Sequence, residues 1–494
     1  MRKRELGRDW TFFRAAPVAR PFLMMDDSRV PIFGTDVHLR YECTDSAGIS
    51  SQKGHAPPSH DGDHAHGTQS MDKQRHYRIG RADIEARAAQ MELVLNKVKE
   101  AALRPDARKV APRLNLNLTA ETLGLTKSQF IHRVSDGKFV GGDRTGSRTY
   151  YTLEEVRTMA NQVGLKHPYA EGHGIVMTVA NFKGGVAKTS TTVTTAQYMA
   201  ARGYNCLVID LDPQASATTL FGVSPYLDVS IEESAAGIFG NETVDIERVC
   251  RPTYWPGIDL IPANQHLYSR EFALAAAAKD WGGEIFEYLA QQLPALRKRY
   301  DLILIDTQPA LGFLTSTGIF ASDHLLVTVP PSSLDFASSV IFWSLLRDVL
   351  TQARQAGGHP KFWEAVHVLQ TRVDEQDKST QFIRKLLAMG CQDWLLPDVI
   401  PSTRVATNAS SDFQTVYDVE KYEGSSRSIK RAREAFDKAY AQLHDAVRHT
   451  WDVWEKPEEW DVVYHPEADF FDEELPAGDE AADEAEPERQ ERVA

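Results

Sequence analysis

The ten residues Asn181-Phe-Lys-Gly-Gly-Val-Ala-Lys-Thr-Ser190 constrain this chain more than any other stretch. They follow the apolar, β-branched run Ile175-Val-Met-Thr-Val-Ala180 and lead into a segment of helical character. A loop that wraps phosphate needs small residues, so that backbone N–H groups can close on anionic oxygens, and a helix N-terminus aimed at them. Gly184 and Gly185 meet the first need, and the strand–loop–helix order meets the second. The expected cradle is Gly184, Gly185, Val186, Ala187, Lys188, Thr189 and Ser190, with Lys188 at the β- and γ-phosphates and the Thr189 hydroxyl on magnesium. The common G-x-x-x-x-G-K-[ST] spacing is not met, because Phe182 and Ala187 stand at its two glycine positions. The pattern is K-G-G-x-x-K-T, with a second lysine, Lys183, ahead of the glycines. If position 187 takes a positive φ, alanine there costs on the order of 1 kcal/mol.

Further short apolar runs follow at Cys206–Asp210, Asp301–Asp306, His324–Val329 and Val366–Thr371, with helical segments between them. That alternation predicts an α/β fold, a buried parallel sheet flanked by helices on both faces, closed by a last long helix at about Ser428 to Arg448. Three aspartates stand at or just beyond predicted strand ends: Asp210, Asp212 and Asp306. Singly, each is most simply a cap or turn residue. Together, three ordered segments on strand ends of one parallel sheet make coincidence improbable.

The K-G-G-x-x-K-T segment resembles that of the deviant Walker A ATPases. Cys206-Leu-Val-Ile-Asp-Leu-Asp-Pro-Gln-Ala-Ser216 is similar to the family's D-x-D-P-Q segment, and Tyr300-Asp-Leu-Ile-Leu-Ile-Asp-Thr-Gln-Pro309 to its Walker B strand and switch. The resemblance implies that Lys183 reaches across a dimer to the nucleotide of the other subunit. It also implies that Asp210 lies near the magnesium shell, that Asp212 orients the attacking water, and that Asp306 holds magnesium through water. Thr307 to Ala310 would sense the γ-phosphate. The family more often has two prolines after the threonine; here Gln308 replaces the first. Within the family the chain is most similar to plasmid partition ATPases of the ParA type, in the large form with an N-terminal helix-turn-helix that includes the RepA proteins of repABC replicons. Arg148-Thr-Tyr-Tyr-Thr-Leu-Glu-Glu, Ala310-Leu-Gly-Phe-Leu-Thr and Thr371-Arg-Val-Asp carry that likeness, which spans about Thr119 to Leu443. By the same resemblance Arg372 and Pro401 approach the adenine.

Charge must be divided along the chain before it informs. The net charge is −14, but Glu455–Ala494 alone holds 16 acidic and 3 basic residues, leaving the rest nearly neutral. Leu103–Arg148 carries 9 basic and 4 acidic residues, so nucleic-acid binding stays open. Within that stretch Thr119–Gly124 is expected as a short helix, and Thr126-Lys-Ser-Gln129 as a capping box opening a second helix, Lys127 to Val134. Such a pair with the following basic hairpin is a winged helix-turn-helix-like arrangement. Lys127, Ser128, Gln129 and Arg133 would then face the major groove, and Arg144 and Arg148 phosphates or the minor groove. The alternative is a structural three-helix module. At the start of the last helix Lys421, Arg427, Lys430, Arg431 and Arg433 form a second basic cluster, which is either a sequence-blind DNA surface or an ordinary solvated face.

The expected organisation is a disordered region over 1–78, a dimerisation-type helix in 79–110, a DNA-binding unit over 111–170, a ParA-like ATPase domain over 171–454 and an acidic disordered tail over 455–494. In the helix, Ile84, Met91 and Val98 recur every seven residues, with Ala88, Leu95 and Ala102 between them. His60, His64 and His66 with Asp61 and Asp63 read as a solvated linker or a metal group. The four cysteines are far apart and no apolar run reaches 18 residues, so a reducing cytosol is expected, with no membrane partner. Two functional readings follow. One is an ATP- and magnesium-dependent segregation enzyme, a homodimer acting on DNA with a ParB-type centromere-binding partner. The other is a nucleotide-responsive repressor of its own operon.

Overall fold

The computed structural model describes residues 80–102, 109–226, 228–240, 244–420 and 425–460; within 80–102 the side chains of 95, 96 and 98–102 are not described. The expected regions 1–78 and 461–494, residue Lys421 and the seam side chains Leu95, Val98 and Ala102 therefore lie outside the described residues.

The chain opens with the helix α1 (Arg81–Ala102), where Ile84 and Met91 are both more than 60% exposed. A small unit follows: β1 (Leu114–Asn115), α2 (Leu116–Thr122), α3 (Lys127–Ser135), the hairpin β2 (Asp143–Thr145) and β3 (Arg148–Tyr151), and α4 (Leu153–Gln162). α2 begins three residues before the expected Thr119, because the Asn115 side chain accepts the Leu118 N–H and caps the helix there. The capping box at Thr126 and Gln129 forms as its spacing predicts, and Thr152 with Glu155 makes a second one opening α4. Phe130 is fully buried against Phe139 and Tyr151, which ties α3 to the hairpin.

The larger body is a seven-stranded sheet in the order β10-β9-β4-β8-β5-β7-β6. Its strands are β4 (Ile175–Ala180), β5 (Cys206–Asp210), β6 (Arg251–Pro252), β7 (Ile258–Ile261), β8 (Leu302–Asp306), β9 (His324–Val329) and β10 (Ala365–Gln370). All neighbours are parallel except the β6–β7 pair. The period of two along each strand sorts the side chains between faces. Ile175, Met177, Val179, Leu302 and Leu304 pack with the C-terminal helix Ser426–Glu455 and with α5 (Lys188–Ala201). Val176, Leu207, Ile209, Ile303 and Ile305 pack on the other face with the helix Leu267–Trp281 and its neighbours. β7 is a strand the sequence reading missed, although Ile258-Asp-Leu-Ile261 follows a glycine in the usual way.

The sheet edges are closed differently. Outside β10, the segment 395–401 runs alongside, and the Leu396 and Ile400 N–H groups donate to the Val368 and Gln370 carbonyls. At the other edge β6 is two residues long and ends in Pro252, which has no N–H to offer.

The small unit and the body share one apolar core. The Arg157 guanidinium on α4 donates to the Ala200 and Tyr204 carbonyls and to Asn205, and Lys430 at the start of the last helix pairs with Glu121 on α2 at 2.7 Å. Among the described residues no helix is long and apolar enough to cross a membrane.

Candidate functional site

β4, β8 and β5 are adjacent, and their C-terminal ends stop at one level: Val179 is in register with Asp306, and Asp306 with Asp210. The three segments singled out in the sequence are thereby brought to one place, with the loop 181–187 arching over it. Asn181 anchors that loop. Its amide donates to the Thr328 carbonyl of β9 at 2.9 Å, and its oxygen accepts the Lys183 N–H at 3.0 Å.

Gly184 and Gly185 are exposed, and Gly185 has φ +76°. Ala187 is in the left-handed region at φ 69°, ψ 24°, directly before α5. The conditional cost of alanine there therefore applies, at about 1 kcal/mol. Two more non-glycine residues with positive φ border the site, Ala215 at 55° and Arg372 at 54°. Backbone strain gathers at functional sites because the surrounding structure must hold it in place.

The carbonyls of the loop are held away from the cradle. Thr371 donates its hydroxyl to the Val186 carbonyl at 3.0 Å, and Arg372 donates to the Gly185 carbonyl at 2.7 Å. Arg372 is thus tied to the phosphate loop itself, and Pro401 stands across a bridge from Val373, one residue beyond. Lys188 is buried and its ammonium donates to the Lys183 carbonyl at 3.0 Å. The Lys183 ammonium pairs with Asp335 on the same chain. Thr189 and Ser190 open α5 and are partly exposed.

The three carboxylates differ in what they already hold. Asp210 accepts the Asp212 N–H on one oxygen, and the Thr218 N–H and hydroxyl on the other at 2.8 and 2.7 Å. Both of its oxygens accept hydrogen bonds, so Asp210, expected near the magnesium shell, also fixes the start of the segment that follows it. Asp306 is fully buried, and its Oδ2 has no hydrogen-bond partner. Asp212 uses one oxygen to accept the Gln214 N–H at 2.9 Å. Burial pushes all three upward from the usual carboxylate range, Asp210 to about 7; the neighbouring carboxylate adds to the rise at Asp306, which the Thr189 hydroxyl and the Lys188 ammonium oppose. Burial lowers Lys188 while Asp306 and Asp212 raise it. Asp306 and Asp212 both face the Lys188 ammonium in a dry place, with Asp210 beside them, a surplus of carboxylates that a cation would relieve. The orphaned Asp306 oxygen and the Thr189 hydroxyl are a donor set of the oxygen kind that suits magnesium. Among the described residues no group of three or more His, Cys, Asp or Glu could hold a metal alone.

Away from this site, Lys127, Ser128 and Gln129 are exposed at the start of α3, and the Gln129 side chain is engaged in the capping box. Arg133 is half-buried over the Phe139 ring, whereas Arg144 and Arg148 are exposed on the hairpin. Arg431 and Arg427 are exposed on the last helix. Arg433 is not available for DNA: it is buried and donates to the carbonyls of Val416, Tyr417 and Val419. The sequence reading missed Asn181, Thr218, Thr371 and Asp335. Asn181 and Thr371 are the first residues of motifs it quoted without giving them a role, while Thr218 and Asp335 carry no local signal.

A family model described as an AAA domain matches residues 174–355. A protein of Sinorhizobium fredii, named as a replication protein A, is 30% identical over 363 residues, covering 70% of this chain and 89% of that protein. Protein SopA of Escherichia coli K12 is 28% identical over 324 residues, covering 64% of this chain and 82% of SopA. Among solved structures, one titled "Partition Protein" shares the fold with a TM-score of 0.53 at 20% identity, over 74% of this chain and 98% of that one.

Proposed function

Because the chain belongs to the ParA family of partition ATPases, in the company of the replication A proteins, we propose that it binds and hydrolyses ATP with magnesium to segregate plasmid or replicon DNA. The observation that carries this reading is the meeting of the phosphate loop, the buried Lys188 and the orphaned Asp306 oxygen at the ends of adjacent strands. The backbone N–H groups of 184–190 and the Lys188 ammonium receive the phosphates. Thr189 and Asp306 hold magnesium, which when bound neutralises phosphate charge and fixes the geometry for in-line attack. Asp210 acts one step removed, by fixing Asp212 and Thr218. Asp212, with one oxygen free of backbone, orients the attacking water. Pro401 adjoins the adenine, and Arg372 braces the loop from the same side.

In this reading ATP closes a homodimer in which Lys183 leaves Asp335 for the partner's nucleotide. The dimer binds DNA without sequence preference through Lys430 and Arg431, and a ParB-type centromere-binding protein stimulates hydrolysis and release. Lys127, Ser128, Gln129, Arg133, Arg144 and Arg148 read the operator of its own operon. The Lys430–Glu121 pair and the shared core support coupling between operator binding and the ATPase body. The protein then works on the nucleoid, in the cytoplasm. A repressor without a direct segregation role draws on that same coupling.

The deciding experiment measures ATP turnover with and without DNA and the product of the neighbouring gene. Turnover should rise with both together. Asp212→Ala should give a stable ATP-bound dimer with little hydrolysis. Substituting Lys127, Gln129 and Arg133 should abolish operator binding and spare sequence-blind binding. An ATPase indifferent to DNA and partner would favour the repressor, and no ATP binding by titration calorimetry would end both readings.

A further inference from the structure

We infer that Glu271, on the helix Leu267–Trp281, is a positioning residue that sets hydrolysis by holding the segment after Asp306. The inference rests on the ATPase reading above. One Glu271 oxygen accepts the Phe313 N–H, and the other accepts the Leu314 N–H and the Gln308 side-chain amide, each at 3.1 Å. The helix Phe313–Ala321 begins after Gly312, which has no side chain to cap it, so the Glu271 carboxylate satisfies those free N–H groups from outside. Gly312 is required for this approach, since a Cβ there would stand 2.1 Å from a Glu271 oxygen.

Gln308 is the residue at which this chain departs from the double proline more common in its family. A proline fixes a segment through its own ring. Here the restraint is a side-chain hydrogen bond to a neighbouring helix, which can be made and broken. Gln308 is buried, and the following Pro309 lies 3.8 Å from where a Cβ on Gly184 would stand. The segment is thus tied to the helix of Glu271 and lies beside the phosphate loop.

One turn earlier on the same helix the Tyr268 hydroxyl accepts a hydrogen bond from the Gln214 amide. Gln214 is the residue whose N–H binds Asp212. A single helix therefore grips both loops that flank the Asp212 and Asp306 carboxylates: one through Tyr268 and one through Glu271. Neither grip runs through Lys188 or the glycines of the phosphate loop. The helix acts on the placement of Asp212 and the sensing segment, and nucleotide affinity is set elsewhere.

The test uses the full chain and four variants: Gln308→Leu, Gln308→Glu, the exchange Gln308→Glu/Glu271→Gln, and Tyr268→Phe. Gln308→Leu should lower kcat about ten-fold while ATP affinity stays within two-fold. Gln308→Glu, which sets two carboxylates against each other, should lose more. The exchange should restore part of that loss, because the amide oxygen then at position 271 can accept the Phe313 N–H while its NH2 donates to the carboxylate at position 308, with the Leu314 N–H left without its acceptor. Hydrogen exchange without nucleotide should rise several-fold at residues 307–314 in Gln308→Leu, and at 212–216 in Tyr268→Phe. A kcat unchanged in Gln308→Leu, an exchange variant no better than Gln308→Glu, or equal losses of affinity and kcat would overturn the inference. A wild-type protein without turnover would instead count against the ATPase reading, and the hydrogen-exchange data would still decide whether Glu271 holds the segment.

Discussion

Asp301 and Asp306 flank one five-residue strand and live under opposite conditions. Asp301, at the entry to β8, accepts the Tyr169 hydroxyl and the Asn205 N–H and pairs with Lys166. Asp306, at the exit, is fully buried with one oxygen unpartnered. The contrast extends along the sheet. At the entry side Asp323 takes both arms of Arg297 and the Val176 N–H, and His324 bonds to Thr450 and His367. At the exit side stand Ala187, Ala215 and Arg372, each with positive φ, and the surplus of carboxylates. One end of the sheet is a finished structure. The other is kept incomplete, which costs stability and leaves groups ready for a ligand.

The largest effect should come from Lys188→Ala. It removes the ammonium proposed to meet the phosphates, and MgATP affinity should drop by about 100-fold or more, since a buried charged hydrogen bond is worth about 3 kcal/mol. Calorimetric titration would show it, and unchanged affinity would sink the phosphate-loop assignment. At the finished end, Asp301→Ala should cost about 3 kcal/mol of stability in urea unfolding, with ATP affinity preserved. Asp306→Asn should do the reverse: stability should rise by about 1–2 kcal/mol as a buried carboxylate disappears, while magnesium-dependent binding is lost. If both aspartate variants destabilise alike, the contrast between the two ends is wrong.

Acid should expose the entry side. Burial holds His324 down at about 3 and His367 at about 4, well below the ordinary 6.5. Histidines with a lowered folded pKa contribute stability that is full above 6.5 and falls away as pH drops toward 4. Between about pH 7 and 5.5 the pair should lose about 2 kcal/mol. Denaturation at the two pH values would measure this, and His324→Asn should remove about half of the slope. The smallest effect belongs to Ala187→Gly, which should stabilise the fold by up to about 1 kcal/mol by relieving the left-handed alanine. Lower stability would mean that the entropy of the unfolded chain outweighs the strain.

Much of the exit side was legible in the sequence, because the phosphate loop, the strands and the aspartates after them are local patterns. The strands of the large sheet were found within a residue of their observed ends, apart from β6 and β7. What escaped depends on partners far away in the chain. Glu271 lies 37 positions before Gln308, and nothing in its neighbours announces that it caps another helix. Asp210 was placed near the magnesium shell by resemblance, and its strand-end position says nothing of Thr218, which donates to it from eight residues on. Arg433 looked like part of a basic cluster. Its spacing of seven from Tyr440 and fourteen from Val447 places it on the buried face, a signal that was present and went unused.

The closed edges of the sheet carry a consequence for assembly. An open β-edge is a template on which another chain can polymerise, and long nucleic-acid-binding proteins at high local concentration are exposed to that hazard. Here the β10 carbonyls already hold the segment 395–401, and the opposite edge ends on Pro252 after two residues. Among the described residues, strand addition at either edge of the large sheet is thereby hindered, and a second copy meets side-chain surfaces there before it meets a long open row of backbone groups.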